Sequence, residues 1–189
     1  MADTRLLVVF ALLQVMCFSI REVSASTCHI SGFVHGKKGI RYCHKEKNGP
    51  DNCCVAGKRY PQFRCSPAVS AKTPSILTVN IFDNGEDELG VSLCDGRFHS
   101  NSELLVTLSS GWLRLDGKNR CNNKIRISAN GRSVVAKVVD ECDSVNGCDA
   151  EHDFEPPCRN NVVSGSLGVW KALKLNESIG ELKVTWSDV

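Results

Sequence analysis

Cysteine content constrains this chain more than any other feature of its sequence. The 189 residues include 11 cysteines, and Cys17 lies in an apolar N-terminal leader. A dense, even set of cysteines behind an export signal is typical of the disulfide framework of an extracellular protein. The sequence therefore predicts a secreted protein cross-linked through the other ten: Cys28, Cys43, Cys53, Cys54, Cys65, Cys94, Cys121, Cys142, Cys148 and Cys158.

Residues 1–25 have the order of a signal peptide. Arg5 supplies a positive charge, an apolar stretch continues to Ile20, and Val23-Ser24-Ala25 offers a small-residue cleavage site. The apolar stretch is too short for a comfortable membrane span. The remainder is long enough for one domain with a real core and a small appendage.

Residues 26–75 are predicted to form that appendage, a cysteine-rich segment followed by a linker. Few apolar residues lie between its five cysteines, so disulfides of about 2–4 kcal/mol each must supply most of its order. The prolines between Ser66 and Ser75 disfavour helix and ladder pairing, which indicates the linker. Residues 26–70 hold eight Lys or Arg against two acids, whereas residues 71–189 hold thirteen against seventeen. An acidic main domain is not typical of a nucleic-acid binder.

From residue 76 onward, apolar and polar residues alternate with a period of two. This alternation predicts half-buried strands. Asn130-Gly131 between two of them is the signal of a type I′ hairpin. The apolar positions of these strands are Leu77, Val79 and Ile81; Leu104, Val106 and Leu108; Ile125 and Ile127; Val134, Ala136 and Val138; and Leu182, Val184 and Trp186.

Helical spacing occurs in a single late segment, from about Ser164 to Leu175. Several short strands and one helix favour a mainly β fold, a small closed barrel spanning residues 76–189. The N-terminal segment and the barrel each hold five cysteines, so at least one bridge must join them if all ten pair within the chain. Cys65, nearest the linker, is the candidate for it, with Cys158 as its partner. Cys53 and Cys54 are not expected to bond each other.

The stretch 140–155 holds seven acids and no Lys or Arg. Carboxylates this dense raise one another's pKa. Four interpretations stay open: paired-carboxylate catalysis, a calcium site, a surface that meets a basic partner, and a solvated loop held by its cysteines. A second acidic run, Asp83 to Glu88, is interpreted as a connecting loop, with a position beside residues 140–155 as the alternative.

Other signatures of catalysis or cofactor binding are weak. His99 and His152 are candidate general bases, but no Ser or Cys nucleophile motif accompanies them. Because the cysteines are assigned to bridges, Cys–His catalysis and a zinc site are disfavoured, and no Gly-rich phosphate loop occurs. We predict neither a metal nor a cofactor. Asn176-Glu177-Ser178 is a glycosylation sequon.

Motifs along roughly residues 54–189 are shared with one known family. The most specific stretch runs from Ile125 to Ser144 and includes Ala129-Asn130-Gly131-Arg132-Ser133. On these motifs the chain resembles the kiwellins, a family of plant ripening-related secreted proteins. The other shared motifs are Gly57-Lys58, Tyr60-Pro61, Cys65-Ser66-Pro67, Cys94-Asp95, Phe98-His99-Ser100, Gly111-Trp112, Gly147-Cys148-Asp149, His152-Asp153, Pro156-Pro157-Cys158, Asn160-Asn161, Val169-Trp170-Lys171-Ala172-Leu173 and Thr185-Trp186-Ser187-Asp188.

The resemblance implies a double-psi β-barrel related to barwin and the expansins. The chain lacks the extra six-cysteine peptide of the longest kiwellins. Expansins place an Asp just before the late helix, where this chain has Ser164, and a Ser hydroxyl cannot protonate a leaving group as a carboxyl can. Asp140 matches the barrel Asp of these families and is expected to order the loop at the barrel mouth. We therefore expect no enzymatic activity.

The function that the resemblance implies is plant defence by binding. Kiwellins capture secreted fungal chorismate mutase effectors, so we expect a monomer of the apoplast that inhibits such a pathogen protein, without nucleic-acid or membrane binding. Charge density alone motivates the predicted contact residues: Asp83, Glu86, Asp87, Glu88, Asp149, Glu151, His152, Asp153 and Phe154.

Two further functions remain as alternatives. The first is a cell-wall polysaccharide-binding or loosening protein, which needs exposed aromatic platforms. Trp112 and Tyr60 are the candidates, since Trp170 and Trp186 follow core spacing. The second is a hydrolase of glycans or RNA centred on Asp140.

Overall fold

The computed structural model describes residues 27–37, 53–83 and 91–189. Within them a small antiparallel sheet, β1 (Gly32–His35) and β2 (Arg59–Gln62), precedes a closed barrel. The barrel strands are β3 (Thr73–Val79), β4 (Leu105–Ser109), β5 (Lys124–Ala129), β6 (Arg132–Cys142), β7 (Val162–Gly165) and β8 (Glu181–Asp188).

Short helical elements occupy the connections between these strands. A π-helical turn, Gly111–Leu115, follows β4, and helix α1 (Leu167–Ala172) follows β7. Single 3₁₀ turns lie at Ala150–His152 and Glu177–Ile179. No helix in the described ranges is long and apolar enough to cross a membrane.

Strand order around the barrel is β3-β7-β4-β6-β5-β8. The pairs β3–β7 and β4–β6 are parallel and the other neighbours are antiparallel. Parallel neighbours need long connections, and here β5 lies in the chain between β4 and β6, while β4, β5 and β6 lie between β3 and β7. The predicted mainly β, double-psi barrel fold with a late helix is confirmed.

The apolar positions of the alternating strands fill the barrel interior. Ile125, Ile127 and Val138 are fully buried, while Arg126 between the two isoleucines is exposed. At the β5–β6 connection Asn130 and Gly131 have φ of 49° and 71°, which confirms the type I′ hairpin.

All three tryptophans belong to the core, contrary to the prediction for Trp112. The rings of Trp112 and Trp186 meet edge to face at 5.1 Å, and Trp112 Nε1 donates to the carbonyl of Pro67 at 2.7 Å. The π-helical turn carries Trp112 inward, where it is fully buried. Tyr60 is only 9% exposed, and its hydroxyl accepts from the N–H of Val55. Neither ring is an open platform for a sugar.

Two predicted boundaries are wrong. Strand β3 begins at Thr73, inside the predicted linker, because β8 pairs with it from Thr73 onward, whereas β7 pairs with it only from Ile76. Pro74 therefore has β8 as its single neighbour, and a missing N–H is tolerated at such a position. The late helix begins at Leu167, because Ser166 caps it by accepting from the N–H of Val169.

β4 departs from the predicted alternation. All five of its residues are buried, because Val106 and Leu108 face the barrel core while Leu105 packs against Phe82 and Val139 on the other side. Leu104, predicted to face inward, precedes the strand and is 40% exposed. Val163 is spaced from Leu167 and Trp170 as in a helix, but it lies in β7 and is fully buried.

The disulfides confirm the predicted link between the two parts but not its residues. Cys54–Cys148 is the bridge from the N-terminal segment to the barrel domain, so Cys53 and Cys54 do not bond each other. The predicted Cys65–Cys158 pair is wrong: the β1–β2 sheet carries Cys65 to Cys28, and the chain after β6 returns Cys158 to Cys142. Cys53 is also disulfide-bonded. Within the described residues Cys94 and Cys121 are also bonded, and Cys43 lies outside those residues.

Candidate functional site

An acidic groove of about 560 Å³ lies between the end of β6, the start of β7 and the loop that joins them. Four of the seven acids of the predicted acidic stretch line it: Glu141, Asp143, Asp153 and Glu155. We call it the acidic groove, and residues 143–158 the acidic loop. Its lining residues are Thr78, Glu141, Cys142, Asp143, Asn146, His152, Asp153, Glu155, Pro156, Pro157, Cys158, Arg159 and Val162.

Asp143 organises the beginning of the acidic loop. Its carboxylate accepts from the backbone N–H groups of Val145 at 2.7 Å and Asn146 at 2.9 Å, and from the Asn146 side chain at 3.0 Å. Burial raises the pKa of Asp143, but these hydrogen bonds and that of His152 outweigh it and hold the pKa below its ordinary value. Asp143 is therefore an ionised anchor for the backbone.

His152 joins two carboxylates of the same loop. Its Nδ1 lies 2.6 Å from Asp149 Oδ1, and its Nε2 lies 3.3 Å from Asp143 Oδ2. Burial lowers the pKa of His152, but the hydrogen bonds and charges of Asp149 and Asp143 outweigh it and raise the pKa above its ordinary value. An imidazolium held at both nitrogens is suited to fixing the loop and poorly suited to accepting a proton as a general base.

The segment from Asp149 to Phe154 brings together five of the predicted contact residues. Asp149 caps the 3₁₀ turn, Glu151 is exposed, and Asp153 and Phe154 adopt left-handed φ of 47° and 58°. Consecutive left-handed residues reverse the chain sharply. The carbonyl of Phe154 accepts from the N–H of Cys54 at 2.9 Å, next to the Cys54–Cys148 bridge. The turn is thus attached to the N-terminal segment.

Asp83, a predicted contact residue of the second acidic run, does not line the acidic groove. Its two carboxylate oxygens accept from the backbone and side-chain nitrogens of Asn101, whose carbonyl accepts from the N–H of Gly168 in helix α1. Because β3 and β7 are parallel, Asp83 lies beyond the end of β3, whereas the acidic loop leads into the start of β7. The alternative that placed these two acidic runs side by side is wrong for Asp83. Glu86, Asp87 and Glu88 lie outside the described residues.

Asp140 occupies a row of polar residues on the outside of the barrel. Its Oδ1 accepts from the N–H groups of Glu141 at 2.8 Å and Leu93 at 3.2 Å, which attaches the incoming crossover to β6. Burial raises the pKa of Asp140. Its neighbours across β4 and β7 are Thr107 and Ser164, both without a carboxylate. The row does not provide the paired carboxylates of a glycosidase.

His99, the second candidate general base, lies apart from the acidic groove. Its Nε2 is 3.1 Å from Asp95 Oδ1, and Asp95 also accepts from Lys137 Nζ at 3.0 Å. Burial raises the pKa of Asp95, but Lys137 and His99 outweigh it and lower the pKa. Asn176 is exposed and caps the Glu177–Ile179 turn, and its glycosylation stays a prediction. In the described ranges, no cluster of three or more His, Cys, Asp or Glu side chains is arranged to hold a metal ion.

A second groove, of about 650 Å³, lies at the other end of β6, around the β5–β6 hairpin and the adjoining part of β8. We call it the basic groove because its charged lining residues are Lys72, Arg126 and Arg132. The sequence analysis did not predict it. The sequence offered one indication of it, the cations Arg126 on β5 and Arg132 beside the hairpin. The net negative charge of residues 71–189 concealed that indication. The other lining residues are Ala71, Ser128, Ala129, Asn130, Gly131, Ser133, Thr185, Trp186 and Ser187.

These features define a class: a double-psi β-barrel, cross-linked by disulfides to an N-terminal segment, with two preformed grooves of opposite charge. The family model for Kiwellin-1 matches residues 11–189, so the chain belongs to the kiwellin family, as its motifs predicted. It is 65% identical over 165 residues to putative ripening-related protein 4 of Oryza sativa subsp. japonica, covering 86% of this chain and 74% of that protein. It is 53% identical over 132 residues to kiwellin of Actinidia chinensis var. chinensis, covering 69% and 61%.

Solved structures with a similar fold include the Streptomyces papain inhibitor, with a TM-score of 0.44 and 20% identity over 64% of this chain and 96% of that one. An expansin of Clavibacter michiganensis, solved as a mutant with cellohexaose, gives a TM-score of 0.44 and 16% identity over 62% of this chain and 50% of that one.

Proposed function

We propose that this kiwellin is a secreted plant defence protein that binds and inhibits a pathogen-secreted protein through the acidic loop. A fungal chorismate mutase effector is the leading partner, as the family resemblance implies. The observation that carries the proposal is the preset shape of this loop: its carboxylates, its histidine and its sharp turn are fixed before any partner arrives.

The acidic loop is attached at several points along its length. Cys148 is bonded to Cys54 and Cys158 to Cys142, so both halves of the loop are cross-linked. The N–H of Phe63 donates to the carbonyl of Ser144 at 2.7 Å, which adds an anchor in the N-terminal segment. A segment already ordered loses little conformational entropy on docking, so more of the contact energy contributes to affinity.

The exposed charge of the loop favours a partner with a basic surface. Glu151 is exposed, and the Asp149 side chain is 38% exposed although it binds His152. An acidic surface accelerates encounter with a basic one and disfavours acidic proteins. Inhibition would then follow from occlusion, with a rigid loop covering the partner's active site, and would need no chemistry on the kiwellin.

The test is charge reversal on the loop, measured as affinity for a purified secreted chorismate mutase and as inhibition of its activity. We expect E151K to weaken binding about tenfold and D149K/E151K/D153K to weaken it further, mainly through slower association at low salt. The matched control is E177K, which changes the same charge in the 3₁₀ turn at Glu177–Ile179 and should leave affinity unchanged. Unchanged affinity in both loop variants would remove the loop from the interface.

A second experiment tests the choice of partner. Affinity capture from infected apoplastic fluid with mass spectrometry should return a pathogen protein that D149K/E151K/D153K no longer captures. We also propose that the protein is not an enzyme, since Thr107 and Ser164, the neighbours of Asp140 on β4 and β7, have no carboxylate. Turnover of a glycan or RNA by the purified protein, lost in D140N, would contradict this.

A further inference from the structure

We propose that the basic groove is a second binding site, specific for an acidic polysaccharide built from uronic acid units. This inference does not rest on the proposed function of the acidic loop. The basic groove lies at the opposite end of β6 from the acidic groove, so one molecule has room for a ligand at each.

Strand register builds the floor of the basic groove. Arg126 on β5 lies opposite Ser187 on β8, and Ser128 lies between Thr185 on β8 and Ser133 on β6. The type I′ hairpin at Asn130-Gly131 forms one wall, and Ala71-Lys72, just before β3, contributes to the rest. These side chains project from paired strands, so their spacing is fixed by the barrel.

No acidic group in the described part of the chain neutralises the three cations of the groove. Lys72, Arg126 and Arg132 are exposed, and none forms an ion pair within residues 27–37, 53–83 and 91–189. Among the residues that the structure describes, no acidic one lines the groove. The barrel domain's other arginines and lysines include five that do form ion pairs: Arg114, Lys118, Arg120, Lys137 and Arg159. Positive charge is therefore available to a ligand at this place.

The groove's chemistry favours carboxylated sugars over other polyanions. Arg126 and Arg132 each carry a planar guanidinium group, which can bind a carboxylate through two parallel hydrogen bonds. Four hydroxyl side chains line the groove with them, Ser128, Ser133, Thr185 and Ser187, and each both donates and accepts as sugar hydroxyls require. Single-stranded nucleic acid needs exposed aromatic rings for its bases. The one aromatic residue of the lining, Trp186, is only 1% exposed.

The test uses the full mature protein and polygalacturonate as the probe. We expect K72Q/R126Q/R132Q to bind it at least about tenfold more weakly than the wild type, the loss expected when one charge-assisted contact disappears. The matched control R64Q/R97Q/K171Q removes three exposed cations outside the groove and should stay within about twofold. Binding should weaken as salt rises, and cellulose should bind far more weakly than polygalacturonate.

Several results would overturn the proposal. One is an equal loss in both triple variants, since net charge alone would then explain the binding. Others are equal affinity for cellulose, or equal affinity for a single-stranded RNA of matched charge. Self-association of the protein alone at low salt, abolished by K72Q/R126Q/R132Q, would assign the groove to the acidic loop of a second copy. E151K should bind polygalacturonate like the wild type, which separates this test from that of the acidic loop.

Discussion

The acidic and basic grooves, at the two ends of β6, differ in how their charges are held. In the acidic loop beside the acidic groove, Asp143 and Asp149 are hydrogen-bonded to His152 and to the backbone of their own loop. In the basic groove, Arg126 and Arg132 project from a hydrogen-bonded strand pair and form no ion pair in the described part of the chain. The number of charges in a stretch of sequence therefore does not measure how much charge reaches a partner.

The comparison also separates two ways of fixing a binding surface. An irregular loop has no ladder to define its shape, so the acidic loop depends on cross-links and on its internal ion pairs. A strand face obtains its shape from the sheet and leaves the side chains free. Removing the Cys54–Cys148 bridge, replacing Asp143 or deprotonating His152 should therefore alter the acidic groove and leave the basic groove nearly unchanged.

The largest expected effect is that of removing the bridge behind the acidic loop. C54S/C148S should lower the free energy of unfolding by about 4 kcal/mol, because this bridge closes a long stretch of chain, with a separation of 94 residues. Urea or thermal unfolding measures the loss. Limited proteolysis of the folded variant should cut between residues 148 and 155 before it cuts at the Asn130-Gly131 hairpin.

The control for this variant is C28S/C65S, which opens a shorter stretch of 37 residues within the N-terminal part. It should cost less, about 3 kcal/mol, and leave the acidic loop resistant to proteolysis. If the hairpin became the first site of cleavage in C54S/C148S, the proposed difference between the two grooves would be wrong.

Removing the Asp143 anchor should have the next largest effect. D143A leaves the N–H groups of Val145 and Asn146 without their acceptor and His152 without one of its two carboxylates. We expect a loss of about 2 kcal/mol in the free energy of unfolding. R126Q removes a charge of the basic groove that forms no ion pair with the described residues, so it should change stability by less than about 0.5 kcal/mol. Equal losses in D143A and R126Q would contradict the comparison.

Local periodicity was sufficient to predict the barrel. The alternation through Ile125, Ile127, Val134 and Val138 follows from the side-chain geometry of a strand, and Asn130-Gly131 carries the φ that its turn requires. The resemblance then identified the connectivity. What local patterns did not predict was Trp112, because a π-helical turn, without a strand's period, carries it into the core.

Long-range pairing explains the remaining differences between prediction and structure. Cys65 pairs with Cys28 because of the β1–β2 sheet, which no cysteine spacing reveals. Asp83 is far from the acidic loop because β3 and β7 are parallel. The basic groove assembles residues 72, 126, 132 and 187 through register alone, so a sum of charges over the whole domain concealed it.

The smallest expected effect concerns pH. His152 has a raised pKa in the folded state, so its stabilising contribution is complete below the unfolded value of about 6.5 and is lost as pH rises through the folded-state pKa. The free energy of unfolding should therefore fall as the pH rises above about 6.5, and H152Q should remove this part of the fall. Amide hydrogen exchange, corrected for the intrinsic exchange rate, should show where this stability is lost. Residues 143–154 should lose protection as the pH rises, whereas the β5–β6 hairpin should not. A uniform loss of protection in both places would mean that His152 does not hold the acidic loop, and that this loop and the strand face respond to pH as one unit.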